Sequence, residues 1–188
     1  MIDMATVYGG LANAGARIDL NPILKITDSE GNIQKEKKDM NIQKTQIIDP
    51  GVAFIMSDIL ADNNARAMEF GGNSPLNIPN HYVSVKTGTS DNKRDNWTIG
   101  YTPDFVVTTW VGNNDNSPMS QSLASGITGA APIWHAIMAN LLAKSKDNKI
   151  IAPPNVIQKD CIGRKEYFIK GTENSVNCVF IAPTPTPN

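Results

Sequence analysis

The stretch Val83-Ser84-Val85-Lys86-Thr87-Gly88-Thr89-Ser90 decides the fold, because it begins with the alternation of apolar and polar residues that is typical of a half-buried β-strand. It ends with a cation, a hydroxyl, a residue without a side chain and a second hydroxyl. The backbone at the edge of such a strand can lie beside a bound peptide, while Lys86 and the threonine hydroxyls surround the peptide's carboxylate. The stretch therefore predicts half of an active site, and the other half must come from elsewhere.

Two further strands are predicted directly after this one. Residues 97–101 and 105–112 contain many aromatic and β-branched side chains, which favour strands. Thr102-Pro103-Asp104 lies between them and has the composition of a short turn. Strands joined by a short turn are antiparallel neighbours, so we expect a sheet of three strands.

Helical patterns lie on both sides of these strands in the sequence. Apolar residues follow helical spacing from Met4 to Leu11, and Gly15 can serve as the helix stop. Asp49 and Pro50 are typical of a helix start. The predicted apolar face of this second helix consists of Val52, Ile55, Met56, Ile59 and Leu60. A third helix is predicted from Pro132 to near Lys144, and we expect the first two helices to pack on the same sheet.

The remaining sequence divides into a small hairpin and a tail. Residues 23–27 and the residues from Ile33 onward flank a turn, which predicts an exposed hairpin. Ala152-Pro153-Pro154 reads as a linker, so we assign 1–147 to the main domain and 148–188 to a linker and short tail. The tail ends in a segment rich in Pro and Thr, and its last six residues are expected to be extended and mobile.

Composition excludes several classes of function. The 188 residues carry 17 basic and 18 acidic side chains and a formal net charge of −1, which gives no basic field for nucleic acid. No stretch is long and apolar enough to span a bilayer, and no export signal begins the chain. Two cysteines and two histidines are too scattered for a zinc site. We therefore expect neither a metal nor a cofactor.

Several motifs together resemble the transpeptidase domain of class A (bifunctional) penicillin-binding proteins, both in their order and in their spacing. The motifs are Lys86-Thr87-Gly88-Thr89-Ser90, Arg94-Asp95-Asn96-Trp97, Gly100-Tyr101-Thr102-Pro103-Asp104, Trp110-Val111-Gly112-Asn113, Thr128-Gly129-Ala130-Ala131-Pro132-Ile133-Trp134, Glu166-Tyr167-Phe168 and Gly171-Thr172-Glu173. The resemblance covers nearly the whole chain. It implies an α/β fold of the α+β type: part of the fold shared by penicillin-binding proteins and β-lactamases, with an antiparallel sheet packed against helices.

The resemblance also implies a reaction and its site residues. The family cross-links peptidoglycan stem peptides ending in D-Ala-D-Ala through a serine acyl-enzyme, and it binds β-lactams. Lys86, Thr87 and Thr89 would bind the substrate carboxylate, and the backbone N–H of Thr89 would support the oxyanion. Gly88 would let the substrate backbone approach the strand. The intact bacterial protein would act outside the cytoplasmic membrane.

The nucleophile of this reaction is missing from the sequence. Such an enzyme needs S-x-x-K and S-x-N motifs, and Ser90-Asp91-Asn92-Lys93 matches both in a single segment. Because the two motifs must reach one carbonyl from different elements, one serine cannot serve in both. Ser175-Val176-Asn177 is a further accidental match. We interpret the chain as a C-terminal part of the domain, inactive alone, whose N-terminal half carries the nucleophile.

Two other functions stay open. The chain could be a noncatalytic module that docks stem peptides or a cell-wall partner, or part of a D,D-carboxypeptidase or β-lactamase-type acyl enzyme. The motif set from Arg94 to Asp104 and the tail disfavour the last two enzymes. Because the resembled proteins act outside the cytoplasm, a disulfide between Cys161 and Cys178 is a reasonable hypothesis, with two unpaired thiols as its alternative.

Overall fold

The computed structural model of the chain describes residues 1–36, 43–120 and 125–178. Its central element is an antiparallel sheet of three strands: β5 (Ser84–Thr89), β6 (Asp95–Tyr101) and β7 (Val106–Gly112), in the order β5-β6-β7. The register pairs Lys86 with Ile99 and Gly88 with Trp97. The three predicted strands and their antiparallel arrangement are therefore confirmed, and β5 lies at one edge of the sheet.

Helices pack on both faces of this sheet. The described helices are α1 (Ile2–Ala12), α2 (Pro50–Ala61), α3 (Asn63–Phe70) and α4 (Ala130–Leu142). Helix α4 covers one face, where Trp134 and Met138 are fully buried against Val85 and Val107. Helices α1 and α2 lie on the other face, so the prediction that both pack on a common sheet is confirmed.

Short strand pairs complete the described structure. Strand β1 (Ala16–Ile18) pairs with β4 (Lys44–Gln46), and β2 (Lys25–Thr27) pairs with β3 (Ile33–Glu36). The second pair is the predicted exposed hairpin. In the tail, β8 (Val156–Cys161) and β9 (Arg164–Ile169) form a further hairpin. The Pro- and Thr-rich end, predicted to be mobile, lies outside the described residues.

The starts and ends of the helices follow local chemistry. The Asp49 carboxylate accepts the backbone N–H groups of Gly51 and Val52 at 2.8 and 3.2 Å, so the predicted N-cap is confirmed. Helix α1 ends at Ala12, before Gly15, whose φ of +84° lies in the left-handed region that favours glycine.

The predicted apolar face of α2 is wrong for three of its five residues, since only Ile55 and Leu60 are half-buried. Val52, Met56 and Ile59 are exposed, whereas the buried side of this helix consists of Gly51, Ala53, Phe54 and Ser57. Small side chains bring the helix close to its neighbours: a Cβ at Gly51 would lie 3.0 Å from the Asn155 side chain. Periodicity showed that the helix is amphipathic, but the helix turns its small residues inward and leaves an apolar surface exposed.

The tail hairpin packs on α2. The Phe54 and Tyr167 rings meet edge to face at 4.9 Å, and the Asn155 amide donates to the Asp49 carboxylate at 2.9 Å. Cys161 and Cys178 are joined in a disulfide, and the N–H of Ile162 donates to the carbonyl of Cys178 at 3.1 Å. The tail is thus attached to the helix that packs behind β5.

Candidate functional site

The predicted site residues of β5 lie at an open sheet edge. Strand β6 is the partner of β5 in the described sheet, and the opposite edge of β5 carries no strand among the described residues. The N–H of Ser90 donates to the carbonyl of Asp95, across the turn towards β6. On the other side, the Arg66 guanidinium donates to the carbonyl of Val85 at 3.2 Å.

These two contacts fix the direction of the strand's backbone groups. Backbone groups of successive strand residues alternate between the two edges, so Val85, Thr87 and Thr89 direct their N–H and C=O groups away from β6. The N–H of Thr89 therefore points to the open edge. This is the orientation that an oxyanion donor on this strand requires.

The lysine and the threonines leave the strand on opposite faces. Lys86 and Gly88 share the face of α1 and α2 with Ile99 and Trp97, while Thr87 and Thr89 face the segment before α4. The hydroxyl of Thr89 accepts the N–H of Gly126 at 3.0 Å, which leaves its own hydrogen for donation. The ammonium of Lys86 and the hydroxyls of Thr87 and Thr89 can therefore contact the same ligand only along the open edge.

In the structure the Lys86 ammonium donates to the carbonyl of Thr87 at 2.5 Å. Lys86 is exposed, and this carbonyl is one of the groups that the strand directs to its open edge. The bond uses one of the three N–H groups of the ammonium, so two remain for a ligand carboxylate at this edge.

Two cavities of about 320 Å³ flank the strand. One lies on the α1 side and is lined by Met4, Tyr8, Lys86, Thr87, Gly88, Trp97 and Ile99. The other lies between β5, α2 and α3 and includes Arg66. A Cβ at Gly88 would lie 3.8 Å from the Cβ of Trp97, an ordinary contact, so the fold itself tolerates a side chain there.

Ser90 and Lys93 lie in the turn between β5 and β6. The Ser90 hydroxyl donates to the Asp95 carboxylate at 2.8 Å and accepts the N–H of Asp95 at 2.8 Å. The Trp110 indole also donates to Asp95, and the hydrogen bonds from Trp110 and Ser90 lower the pKa of this carboxyl. Ser90 is thus part of a turn and not of a serine–lysine pair on a helix.

Sequence reasoning missed three contributors to the site. Arg66 reaches the strand from α3, Gly126 contacts Thr87 and Thr89, and Asn96 is buried under the start of α4, where its side-chain oxygen accepts the N–H of Ala130 at 3.0 Å. A Cβ at Gly126 would lie 2.7 Å from the Cβ of Thr87, so this approach requires glycine. These contacts join residues that are distant in sequence. Asn96 lies in the quoted motif Arg94-Asp95-Asn96-Trp97, but nothing near Arg66 or Gly126 in the sequence indicates their contacts.

No helix among the described residues is long and apolar enough to cross a membrane. Within the same ranges, no cluster of three or more His, Cys, Asp or Glu side chains is arranged to hold a metal ion.

Three features define the class of penicillin-binding transpeptidase domains: the three-stranded antiparallel sheet, the helices on both of its faces and the lysine-bearing edge strand. Residues 1–139 match the family described as the penicillin binding protein transpeptidase domain. The chain belongs to this family.

Known penicillin-binding proteins match this chain in sequence and in structure. Penicillin-binding protein 1A of Neisseria lactamica is 30% identical over 173 residues, covering 89% of this chain and 20% of that protein. The crystal structure of penicillin-binding protein 1A from Haemophilus influenzae has a TM-score of 0.75 at 25% identity and covers 91% of this chain and 32% of that one. PonA1 from Mycobacterium tuberculosis has a TM-score of 0.62 at 25% identity, over 80% of this chain and 40% of that structure. The chain spans about a fifth of the length of the curated relatives that it matches.

Proposed function

We propose that the chain forms the carboxylate-binding wall of a peptidoglycan D,D-transpeptidase. The observation that carries this proposal is the open edge of β5, where Lys86 and Thr87 adjoin the outward N–H of Thr89. The ligand would be a stem peptide ending in D-Ala-D-Ala, or a β-lactam that imitates it. No cofactor takes part in this chemistry.

In the proposed reaction, a serine oxygen attacks the carbonyl of the penultimate D-Ala. The C–N bond to the last D-Ala breaks, the proton from the serine reaches the departing amine, and an acyl-enzyme remains. An acceptor amine then attacks the acyl carbon and restores the serine. The N–H of Thr89 would stabilise the oxyanion, and loss of one such donor typically costs about 3 kcal/mol of transition-state stabilisation.

The serine would come from sequence outside residues 1–188. Ser90 is engaged by Asp95 in a turn, so its oxygen does not face the open edge beside Lys86. The exposed apolar side chains of α1 and α2 offer a surface for the segment that carries the nucleophile: Ile2, Val7, Val52, Met56 and Ile59. Met4 of α1, which is also exposed, lines the cavity on the α1 side of Lys86, and Ile59 of α2 lines the cavity that includes Arg66.

A second candidate is a noncatalytic module that binds stem peptides. The engagement of Ser90 by Asp95 favours it, because among the described residues no serine lines either cavity beside Lys86. Under either function the chain would act outside the cytoplasmic membrane, where the Cys161–Cys178 disulfide is stable.

Labelling with a fluorescent penicillin, followed by denaturing electrophoresis, tests the proposal. We expect no covalent band from the 188-residue chain, and a band once the chain is extended by the segment encoded upstream in the same reading frame, with S-x-x-K and S-x-N. Lys86→Ala in the extended protein should slow labelling by about tenfold or more, since hydrogen bonds to charged groups contribute about 1.5–3 kcal/mol. Arg17→Ala, which removes an exposed cation paired with Asp19, is the matched control.

Three outcomes would count against parts of this proposal. A covalent band from the 188-residue chain would show that the nucleophile lies within it and would refute the placement of the serine outside residues 1–188. An upstream frame without both motifs would favour the noncatalytic module. Products that are trimmed but never cross-linked would indicate a carboxypeptidase.

A further inference from the structure

A pocket beside the free edge of β5 combines apolar walls with two cations. It has a volume of about 320 Å³ and lies between β5 and the helices α2 and α3. Lys86 and Arg66 provide the cations, and Thr87 and Asp62 also line it. The apolar walls are formed by Ile59, Leu60, Ala65, Phe70, Leu76 and Val85. The pocket therefore shares Lys86 and Thr87 with the proposed carboxylate site, while the rest of its lining lies outside the Lys-Thr-Gly motif.

The Arg66 guanidinium is held in place at the rim of this pocket. It donates to the carbonyl of Val85 at 3.2 Å and to the carbonyl of Leu60 at 2.8 Å. These bonds use two of its five N–H groups, and its Nε is buried without a partner among the described residues. Partial burial lowers the pKa of Arg66, but an arginine stays charged in proteins.

Neither cation is neutralised by an ion pair. In residues 1–36, 43–120 and 125–178, the ion pairs involve Arg17, Lys149 and Arg164, so Arg66 and Lys86 have no carboxylate within 4.0 Å. Asp62 acts on Arg66 only through its charge at longer range. Two cations without a paired anion on one partly apolar pocket favour an anionic ligand with an apolar part.

The direction of the bound peptide places its last residue here. If its penultimate carbonyl meets the N–H of Thr89 and its carboxylate meets Lys86 and Thr87, the peptide runs antiparallel to β5. Its C-terminal residue then lies towards Val85, at the mouth of the pocket. Because Arg66 occupies the carbonyl of Val85, strand pairing cannot continue beyond Thr87.

We propose that this pocket is the subsite for the C-terminal residue of the bound peptide, with Arg66 as a second cation for its carboxylate. The apolar walls would contact the side chain of that residue, and Arg66 would also fix the register of the peptide on β5. The inference rests on the proposed function and names residues that determine its specificity.

Two peptides that differ only at their end test this role. N-acetyl-D-Ala-D-Ala as the free acid and as the C-terminal amide are titrated into the 188-residue chain, with the amide resonance of Thr89 as the readout. We expect the wild-type chain to prefer the acid. Arg66→Gln should weaken binding of the acid by about 5- to 10-fold and leave the amide unchanged, because it removes one charge-assisted hydrogen bond. Arg17→Gln, which removes an exposed cation elsewhere, should change neither affinity.

A second variant tests the pocket without touching the bonds of Arg66. Ala65 is exposed on α3 and lines the pocket, so Ala65→Trp fills it from outside the core. This variant should weaken binding of the free-acid peptide. The loss of affinity should be larger when the last residue of that peptide is D-Phe instead of D-Ala.

The outcomes separate the two proposals. A wild-type chain that binds neither peptide at Thr89 defeats the proposed function and this inference with it. A wild-type chain that prefers the acid, combined with an unchanged Arg66→Gln variant, defeats the inference alone. Equal losses for acid and amide would show that Arg66 only supports the strand, and unchanged affinities in Ala65→Trp would show that the pocket stays empty.

Discussion

The two faces of the β5-β6-β7 sheet are built differently. Helix α4 covers one face with an apolar core in which Trp134 and Met138 are both 0% exposed, and the buried Asn96 and Thr109 bond to its first residue, Ala130. On the other face α2 packs through a buried polar cluster: the hydroxyls of Ser57 and Tyr101 lie 2.8 Å apart, and the hydroxyl of Ser84 donates to the carbonyl of Ser57 at 2.7 Å. Outside this cluster, apolar side chains remain exposed, with Ile59 at 60%.

The difference shows which face of the sheet the chain covers with its own residues and which face keeps apolar side chains exposed. The α4 face is closed by residues of the chain. On the α1 and α2 face, directional hydrogen bonds at Ser57 tie α2 to β5 and β6, beside the buried apolar side chains of Ala53 and Ile99. The proposed active-site residue Lys86 projects on this second face, next to exposed apolar surface, as a site shared with another segment requires.

The largest expected effect is a difference in the free energy of unfolding between substitutions on the two faces. Trp134→Ala should lower the free energy of unfolding by about 3–5 kcal/mol, because it leaves a cavity in the closed core. Ile59→Ala on the exposed surface should change it by less than about 0.5 kcal/mol. Urea denaturation followed by circular dichroism measures both, and losses of similar size would remove the contrast between the faces.

The polar cluster should contribute less than the core. Tyr101→Phe removes the hydroxyl that bonds to Ser57, and we expect a loss of about 1 kcal/mol in the free energy of unfolding. Tyr8→Phe is the matched control, since the Tyr8 ring packs on Tyr101 at 6.1 Å and its hydroxyl has no hydrogen bond among the described residues. Urea denaturation that gives both variants the same stability would refute the role of the cluster.

The exposed apolar surface of α1 and α2 should promote self-association of the chain. A triple variant of Val7, Met56 and Ile59 to Ser should leave the free energy of unfolding nearly unchanged and shift the chain towards monomer in sedimentation velocity. The control replaces Ile133 and Ile137, which are exposed on the outer side of α4. A larger shift towards monomer in this control would show that the chain self-associates through the α4 face instead.

The smallest effect concerns acid and the tail. The hydrogen bond from Asn155, followed by those from Val52 and Gly51, lowers the pKa of Asp49. Because the folded pKa lies below the unfolded value of about 3.9, this carboxylate stabilises the fold above about pH 4, and the contribution is lost as the pH falls through the folded pKa. Thermal unfolding from pH 6 to pH 2.5 should show a smaller acid-induced decrease in Asp49→Asn than in the wild type, and parallel curves would contradict this.

The state of the two cysteines has its own test. We expect no labelled thiol when the unfolded chain is alkylated without reductant and two when reductant is added first, as mass spectrometry would show. Two labelled thiols without reductant would rule the bridge out.

Local signals in the sequence predicted the strands, the turn at Thr102 and the cap at Asp49, because each depends on neighbouring residues. They failed where the outcome depends on distant contacts. The inward face of α2 carries Gly51 and Ser57, which look neutral until Asn155 and Ser84 pack on them. Arg66 escaped notice for the same reason, since nothing near it in sequence indicates that it bonds to β5.

The bond from the Lys86 ammonium to the carbonyl of Thr87 holds the cation at the open edge before any ligand arrives. It uses one of the three N–H groups of the ammonium, so two stay available to a carboxylate. In the proposed function, binding would therefore cost the lysine side chain little rotational freedom, because the strand's own carbonyl has already placed its charge. A ligand with a neutral end would gain little from that placement, and the strand would thereby favour anions.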